Sequence, residues 1–194
     1  MVATFAPLTA SQDVATFVRA AKQVYDVRLG ACQFLVVGEG PEETGLRKLA
    51  RELKLEKHLT FAHAEVPQDR ILPDVDVYVQ TARQEAFGLG VLAAMAWGRP
   101  VVAASAGALI GLVEDGRTGC LVPPGDPDAF AEKILELLSD ARRRAELGRQ
   151  GRNRAEARYQ LDAMLEGTLH IYGEARGLLT PSASGSTIAR LLLK

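Results

Sequence analysis

QEAFGLGVLAAMAWGRP, residues 84–100, lies between two apolar runs. The first, Val75-Asp76-Val77-Tyr78-Val79, is short and rich in β-branched and aromatic residues, which predicts a buried strand delivering the chain to Glu85. After Phe87-Gly88, residues Leu89, Val91, Leu92, Met95 and Ala96 recur at the spacing of a helix packed along that one apolar face. Gly98 and Pro100 close that helix, and Val101-Val102-Ala103-Ala104 starts another strand at once. Strand, glycine-bearing turn, helix, strand is a βαβ unit, whose turn presents backbone N–H groups and a positive helix end beyond the strand ends. A phosphate would sit there. An acid just before such a turn is ill suited to phosphate but suits neutral hydroxyls, as on a sugar, and Glu85 is that acid.

The flanks repeat the alternation. Residues 2–6 are apolar, and Phe17, Val18, Ala21 and Val24 follow at helical spacing. Residues 33–37 read as a strand, Gly38-Glu39-Gly40 as its turn, and a helix from near Pro41 to Leu53 carries Leu46, Leu49, Ala50 and Leu53 inward. The G-x-G does not make a dinucleotide site, because the third glycine would fall at Glu43 and Glu42 and Glu43 occupy the helix start. Residues 58–62 form another strand, with His63 at its end. Asp126 is a fitting N-cap with Pro127 behind it, and Phe130, Ile134, Leu137 and Leu138 stripe the helix that follows. The fold class expected is α/β: a Rossmann-like parallel sheet of about five or six strands, helices on both faces, and Glu85 and Gly88 at its C-terminal edge.

A chain of 194 residues suits one domain, expected over residues 1–179, with residues 180–194 as a disordered tail. The balance of 23 Lys and Arg against 24 Asp and Glu sets up no global field for nucleic acid or anionic membrane. Seven arginines between residues 142 and 158 come without interleaved aromatics and read as a solvated helical face. A last amphipathic helix is expected over residues 161–179, with Met164, Leu165, Leu169, Ile171 and Tyr172 on its apolar side. Cys32 and Cys120 each border an apolar run and read as small buried hydrophobes of a reducing compartment, with no metal-ligand neighbours. Neither a signal-peptide layout nor a membrane-length apolar run is present in the sequence, so a cytoplasmic protein is expected.

The run E-A-F-G-L-G-V-L-A-A-M-A-W-G-R-P-V-V-A at residues 85–103 resembles the E-x-F-G-L-x-x-x-E-A-M-A-x-G-x-P-V-V-A signature of the GT-B-fold, retaining glycosyltransferases of family 4 and their glycogen-synthase-like relatives. The likeness continues through Glu114-Asp115-Gly116-Arg117-Thr118-Gly119 and Leu121-Val122-Pro123-Pro124-Gly125-Asp126, and upstream in Leu35-Val36-Val37-Gly38-Glu39-Gly40-Pro41. All of it is to the C-terminal, donor-binding half. The resemblance implies a nucleotide-sugar donor as substrate, no cofactor and no metal, and an N-terminal acceptor-binding domain or protein as partner. It makes Glu85 the catalytic candidate, and Phe87, Gly88, Leu89, Gly38, Gly107 and His63 the donor-binding candidates.

The departures from that pattern concern charge. The family's R-L-x-x-x-K-G, whose Arg and Lys meet the donor diphosphate, falls with those two places at Pro7 and Gln12. The second glutamate of E-x7-E, which the resemblance makes a ribose contact, falls at Ala93, and G-G-x-P-E reads Gly107, Ala108, Leu109, Ile110 and Gly111. Arg83 is either a substitute phosphate cation or a solvated arginine, and His63 either a base-stacking or a surface residue. The expected function is therefore a glycosyltransferase donor-binding domain with an eroded site and no acceptor domain, inactive as this chain alone. The alternative is a non-catalytic GT-B-like partner or structural domain.

Overall fold

The computed structural model describes residues 1–28 and 31–175. The expected end of the last helix and the expected tail at residues 180–194 lie outside the described residues. Two compact units divide at Ala155 and Glu156. The first holds six parallel strands in the order β3-β2-β1-β4-β5-β6. These are β1 (Val2–Phe5), β2 (Phe34–Val37), β3 (Leu59–Ala62), β4 (Val77–Gln80), β5 (Val101–Ala104) and β6 (Cys120–Val122). All the residues of β1, β4 and β5 are buried, as expected of parallel strands covered on both faces.

The helices between the strands are α1 (Val14–Arg28), α2 (Glu43–Glu52), α3 (Gln68–Ile71), α4 (Leu89–Ala96) and α5 (Leu109–Leu112), and α6 (Pro127–Ser139) and α7 (Ala141–Arg158) follow β6. Helix α1 packs against α6 and α2. Phe17 of α1 meets Phe34 edge to face, and Phe130, Ile134 and Leu137 of α6 are fully buried. Asp126 caps α6 by accepting from the N–H groups of Asp128 and Ala129. The second unit is described through α8 (Leu161–Ala175), where Leu165, Leu169, Ile171 and Tyr172 are exposed.

Most elements fall where the sequence puts them, with three corrections. Helix α2 begins at Glu43, two residues after Pro41, because the chain first turns over Gly40. Val91, Ala94 and Met95 form the buried side of α4, whereas Leu89 is 70% exposed at the opening of the helix, so it is not a core residue. The arginines of α7 are only partly a solvated face. Arg144 donates to the carbonyls of Leu137 and Leu138 at the end of α6, and Arg143 to that of Gly116. Arg154 reaches Gly111, Leu112 and Glu114. Helix C-terminal carbonyls lack intrahelical donors, and a guanidinium fork satisfies them well.

Candidate functional site

Strand order reverses between β1 and β4, and the crevice at such a switch point is where open α/β sheets bind ligands. A cleft of about 440 Å³ opens there. Its walls come from the end of β1 (Phe5, Ala6, Pro7), the turn after β2 (Gly38, Glu39), the end of β4 (Gln80), and the Glu85–Gly90 turn into α4. The β1 turn and the β2 turn lie in close backbone contact. A Cβ on Gly38 would stand 1.9 Å from the Ala6 carbonyl oxygen, so only glycine lets these two walls meet.

Glu85 is held at both carboxylate oxygens. Oε1 accepts from the N–H groups of Phe87 (3.2 Å) and Gly88 (3.0 Å). Oε2 accepts from Gln80 Nε2 (3.3 Å) and Gln12 Nε2 (3.4 Å). The negative carboxylate thus sits over the positive start of α4, whose first intrahelical bond is Leu92 N–H to Gly88 O. Gln80 is 4% exposed and joins the pieces: its Nε2 also donates to Gln12 Oε1 at 2.8 Å, and its Oε1 accepts from Tyr78 at 3.2 Å. The Tyr78 hydroxyl lies 3.2 Å from the Phe5 carbonyl as well, and its ring meets Phe5 edge to face. Burial pushes the Tyr78 phenol well above the usual tyrosine range, and the Glu85 charge raises it further. Gln12 is fixed from behind, since Thr81 donates to its carbonyl and Arg83 N–H donates to that of Ser11.

The candidates from sequence divide around this cleft. Glu85, Phe87, Gly88, Leu89 and Gly38 line it together, with Phe87 53% exposed. Gly107 stands behind Glu85 and lines a neighbouring hollow with Ser11, Arg83 and Ala86. His63 is an exposed residue 3.1 Å from Glu39 and is not in the cleft wall. Arg83 Nε lies 2.8 Å from Asp13, and the arginine lines the neighbouring hollow and not this cleft. Of the four places where charge is missing, Pro7 and Gln12 line the cleft. Ala93 lies one helical turn beyond Leu89, and Gly111 lies on α5. Among the described residues the lining contains two carboxylates, Glu39 and Glu85, and no Lys, Arg or His. Among the described residues no group of His, Cys, Asp or Glu could hold a metal ion, and no helix is long and apolar enough to cross a membrane.

Tyr78 and Gln80 were not candidates from sequence. They alternate with Val77 and Val79 on a fully buried strand, and only the apposition of β1 and β4 reveals what their polar ends meet.

Comparison with known proteins agrees with this geometry. The family described as Glycosyl transferases group 1 matches residues 1–140. The D-inositol 3-phosphate glycosyltransferase of Salinispora arenicola is 33% identical over 180 residues, which is 89% of this chain and 40% of that protein. A crystal structure of a Staphylococcus aureus TarM mutant in complex with fondaparinux, alpha-GlcNAc-glycerol and UDP superposes with a TM-score of 0.80 at 25% identity, covering 87% of this chain and 34% of that one. Anabaena HepE in complex with UDP superposes with a TM-score of 0.79 at 25% identity, covering 89% and 48%. The chain spans less than half the length of the curated relatives it matches.

Proposed function

We propose that this chain, which belongs to the group 1 glycosyltransferase family, is a donor-half scaffold that has kept the sugar-facing side of its cleft and lost its grip on the donor diphosphate. The observation that carries the reading is the cleft lining, in which Pro7 and Gln12 stand where the family pattern has Arg and Lys, with no cation among the other described residues of the wall. Charge-assisted hydrogen bonds contribute about 1.5–3 kcal/mol each, so losing two lowers nucleotide affinity by orders of magnitude. The retained groups are Glu85, the backbone at Phe87 and Gly88, and the opening turn of α4. Retaining transfer from a nucleotide sugar would need those groups, a cation and an acceptor site across the cleft. Proximity effects of about 7–11 kcal/mol do not arise from one wall.

The purified chain incubated with UDP-glucose or GDP-mannose is the test. The expected result is no transfer and no hydrolysis above a Glu85→Ala control. Turnover that depends on Glu85 would reverse the reading.

A non-catalytic role beside another glycosyltransferase is favoured by one specific observation. Both oxygens of Glu85 are already hydrogen-bonded within the chain, so the cleft is stable without a ligand.

A further inference from the structure

We propose that the switch-point cleft takes an uncharged saccharide in place of a nucleoside diphosphate, and that Gln12, positioned by Gln80, is the residue that selects it. This rests on the reading that the diphosphate grip is lost, and it assigns the ligand that the remaining chemistry fits.

Charge decides against a diphosphate. A diphosphate bound here would share the cleft with the Glu85 carboxylate and, among the described lining residues, would meet no cation, while Glu39, the other lining carboxylate, lies 3.1 Å from His63. The nearby arginine, Arg83, is engaged by Asp13. What the site offers instead is a carboxylate framed by two primary amides. Gln80 is nine-tenths buried and its side chain is fully spent, on Tyr78 through Oε1 and on Gln12 and Glu85 through Nε2. Its bond to Gln12 Oε1 fixes that amide, so that Gln12 Nε2 is turned toward Glu85 Oε2.

The two amide bonds to Oε2, at 3.3 and 3.4 Å, are long for N–H···O contacts. A ligand hydroxyl donating to Oε2 at the usual O–H···O distance replaces them with a shorter one, and its neighbour accepts from Gln12 Nε2. A vicinal diol satisfies both at once. With Gln12 Oε1 held by Gln80, the site offers a ligand one acceptor, Glu85 Oε2, beside one amide donor, Gln12 Nε2, a pairing that suits hydroxyls, whereas a phosphate needs donors alone. Phe87 and Leu89, 53% and 70% exposed, supply apolar surface at the mouth for the C–H face of a pyranose. A cleft of about 440 Å³ is of small-ligand size.

The experiment titrates the full chain with free glucose, mannose and N-acetylglucosamine, and separately with UDP and UDP-glucose, by saturation-transfer NMR and calorimetry. The expected result is saturable binding of at least one free sugar, with UDP no tighter than that sugar. Glu85→Gln and Gln12→Leu should each weaken the sugar about tenfold. Gln80→Leu should do the same; if it does not fold, the half-buried Gln12 carries the test. No binding of any sugar at about 10 mM, with UDP also silent, overturns the inference and leaves the lost-diphosphate reading standing. UDP or UDP-glucose binding more tightly than every free sugar overturns both. Sugar binding indifferent to Glu85→Gln and Gln12→Leu lies elsewhere and also overturns it.

Discussion

Gly107 rests directly on the backbone of Glu85. A Cβ at Gly107 would stand 2.3 Å from the Glu85 carbonyl oxygen, the same oxygen that accepts from Ala108 N–H at 2.9 Å. Gly107 has φ 52°, a left-handed conformation that costs a side chain about 1–2 kcal/mol even in open space. The loop after β5 is therefore the floor on which the Glu85 turn is set, and that support requires glycine at position 107.

Gly107→Ala should accordingly cost about 2–4 kcal/mol, adding overpacking to the backbone strain. Urea denaturation of the variant and the parent measures it. A loss below about 0.5 kcal/mol would mean that the two loops are not packed as described.

Tyr78 sets a pH dependence. Its buried phenol keeps its proton in the folded chain at a pH where the unfolded chain releases one, so its contribution is intact below about pH 10 and declines as pH rises above that. Tyr78→Phe removes the contacts to Phe5 and Gln80 and should cost about 0.5–1.5 kcal/mol at neutral pH. It should also flatten the alkaline decline. Denaturation midpoints for both proteins from about pH 8 to 11 decide it. Parallel curves would show that the Tyr78 hydroxyl is reached by water.

Arg154 ties the end of α5 to the loop after it, donating to the carbonyls of Gly111 (2.8 Å) and Leu112 (2.9 Å) and pairing with Glu114. With its side chain only 11% exposed, Arg154→Ala should cost about 2–3 kcal/mol. Arg149→Ala, which breaks an exposed pair with Glu146, should change little. Thermal unfolding of the two variants side by side is the check. Equal effects would return the arginine run to a plain solvated face.

How far the sequence carried is clear from these residues. The β-branched runs at Val77 and Val101 and the Asp126-Pro127 cap are local signals, and the strands and α6 follow from them. Glu85 and the turn behind it were legible for the same reason. Gln80, Tyr78 and Arg154 were not, because each has partners far along the chain: Gln12 and Phe5 for the first two, Gly111 for the third. A polar residue's partner across a sheet or a helix crossing depends on strand order, which composition and spacing do not encode. The inward assignment of Leu89 failed on a related point. Periodicity marks it as core, but a helix that opens into a crevice exposes its first turn.

Restoring charge to the cleft is the sharpest probe of the lost-diphosphate reading. Gln12 already lies beside Glu85 at the crevice, so Gln12→Lys should place an ammonium in the cleft with the Glu85 carboxylate to orient it. Ala93 is four residues after Leu89 on α4, and side chains on a helix lean toward its N-terminus. Ala93→Glu therefore extends a carboxylate along the wall that Leu89 opens, where the family resemblance puts a ribose contact. Each new charged hydrogen bond contributes about 1.5–3 kcal/mol, so the double variant should bind UDP- or GDP-sugars at least about tenfold more tightly than the parent. Pro7 still lacks its cation, and that limits the gain. Calorimetric titration of parent and variant, with the fold checked by circular dichroism, gives the answer. Unchanged affinity in a folded variant would mean that nucleotide binding failed here for reasons of shape, and that the missing cations were a consequence of the lost function.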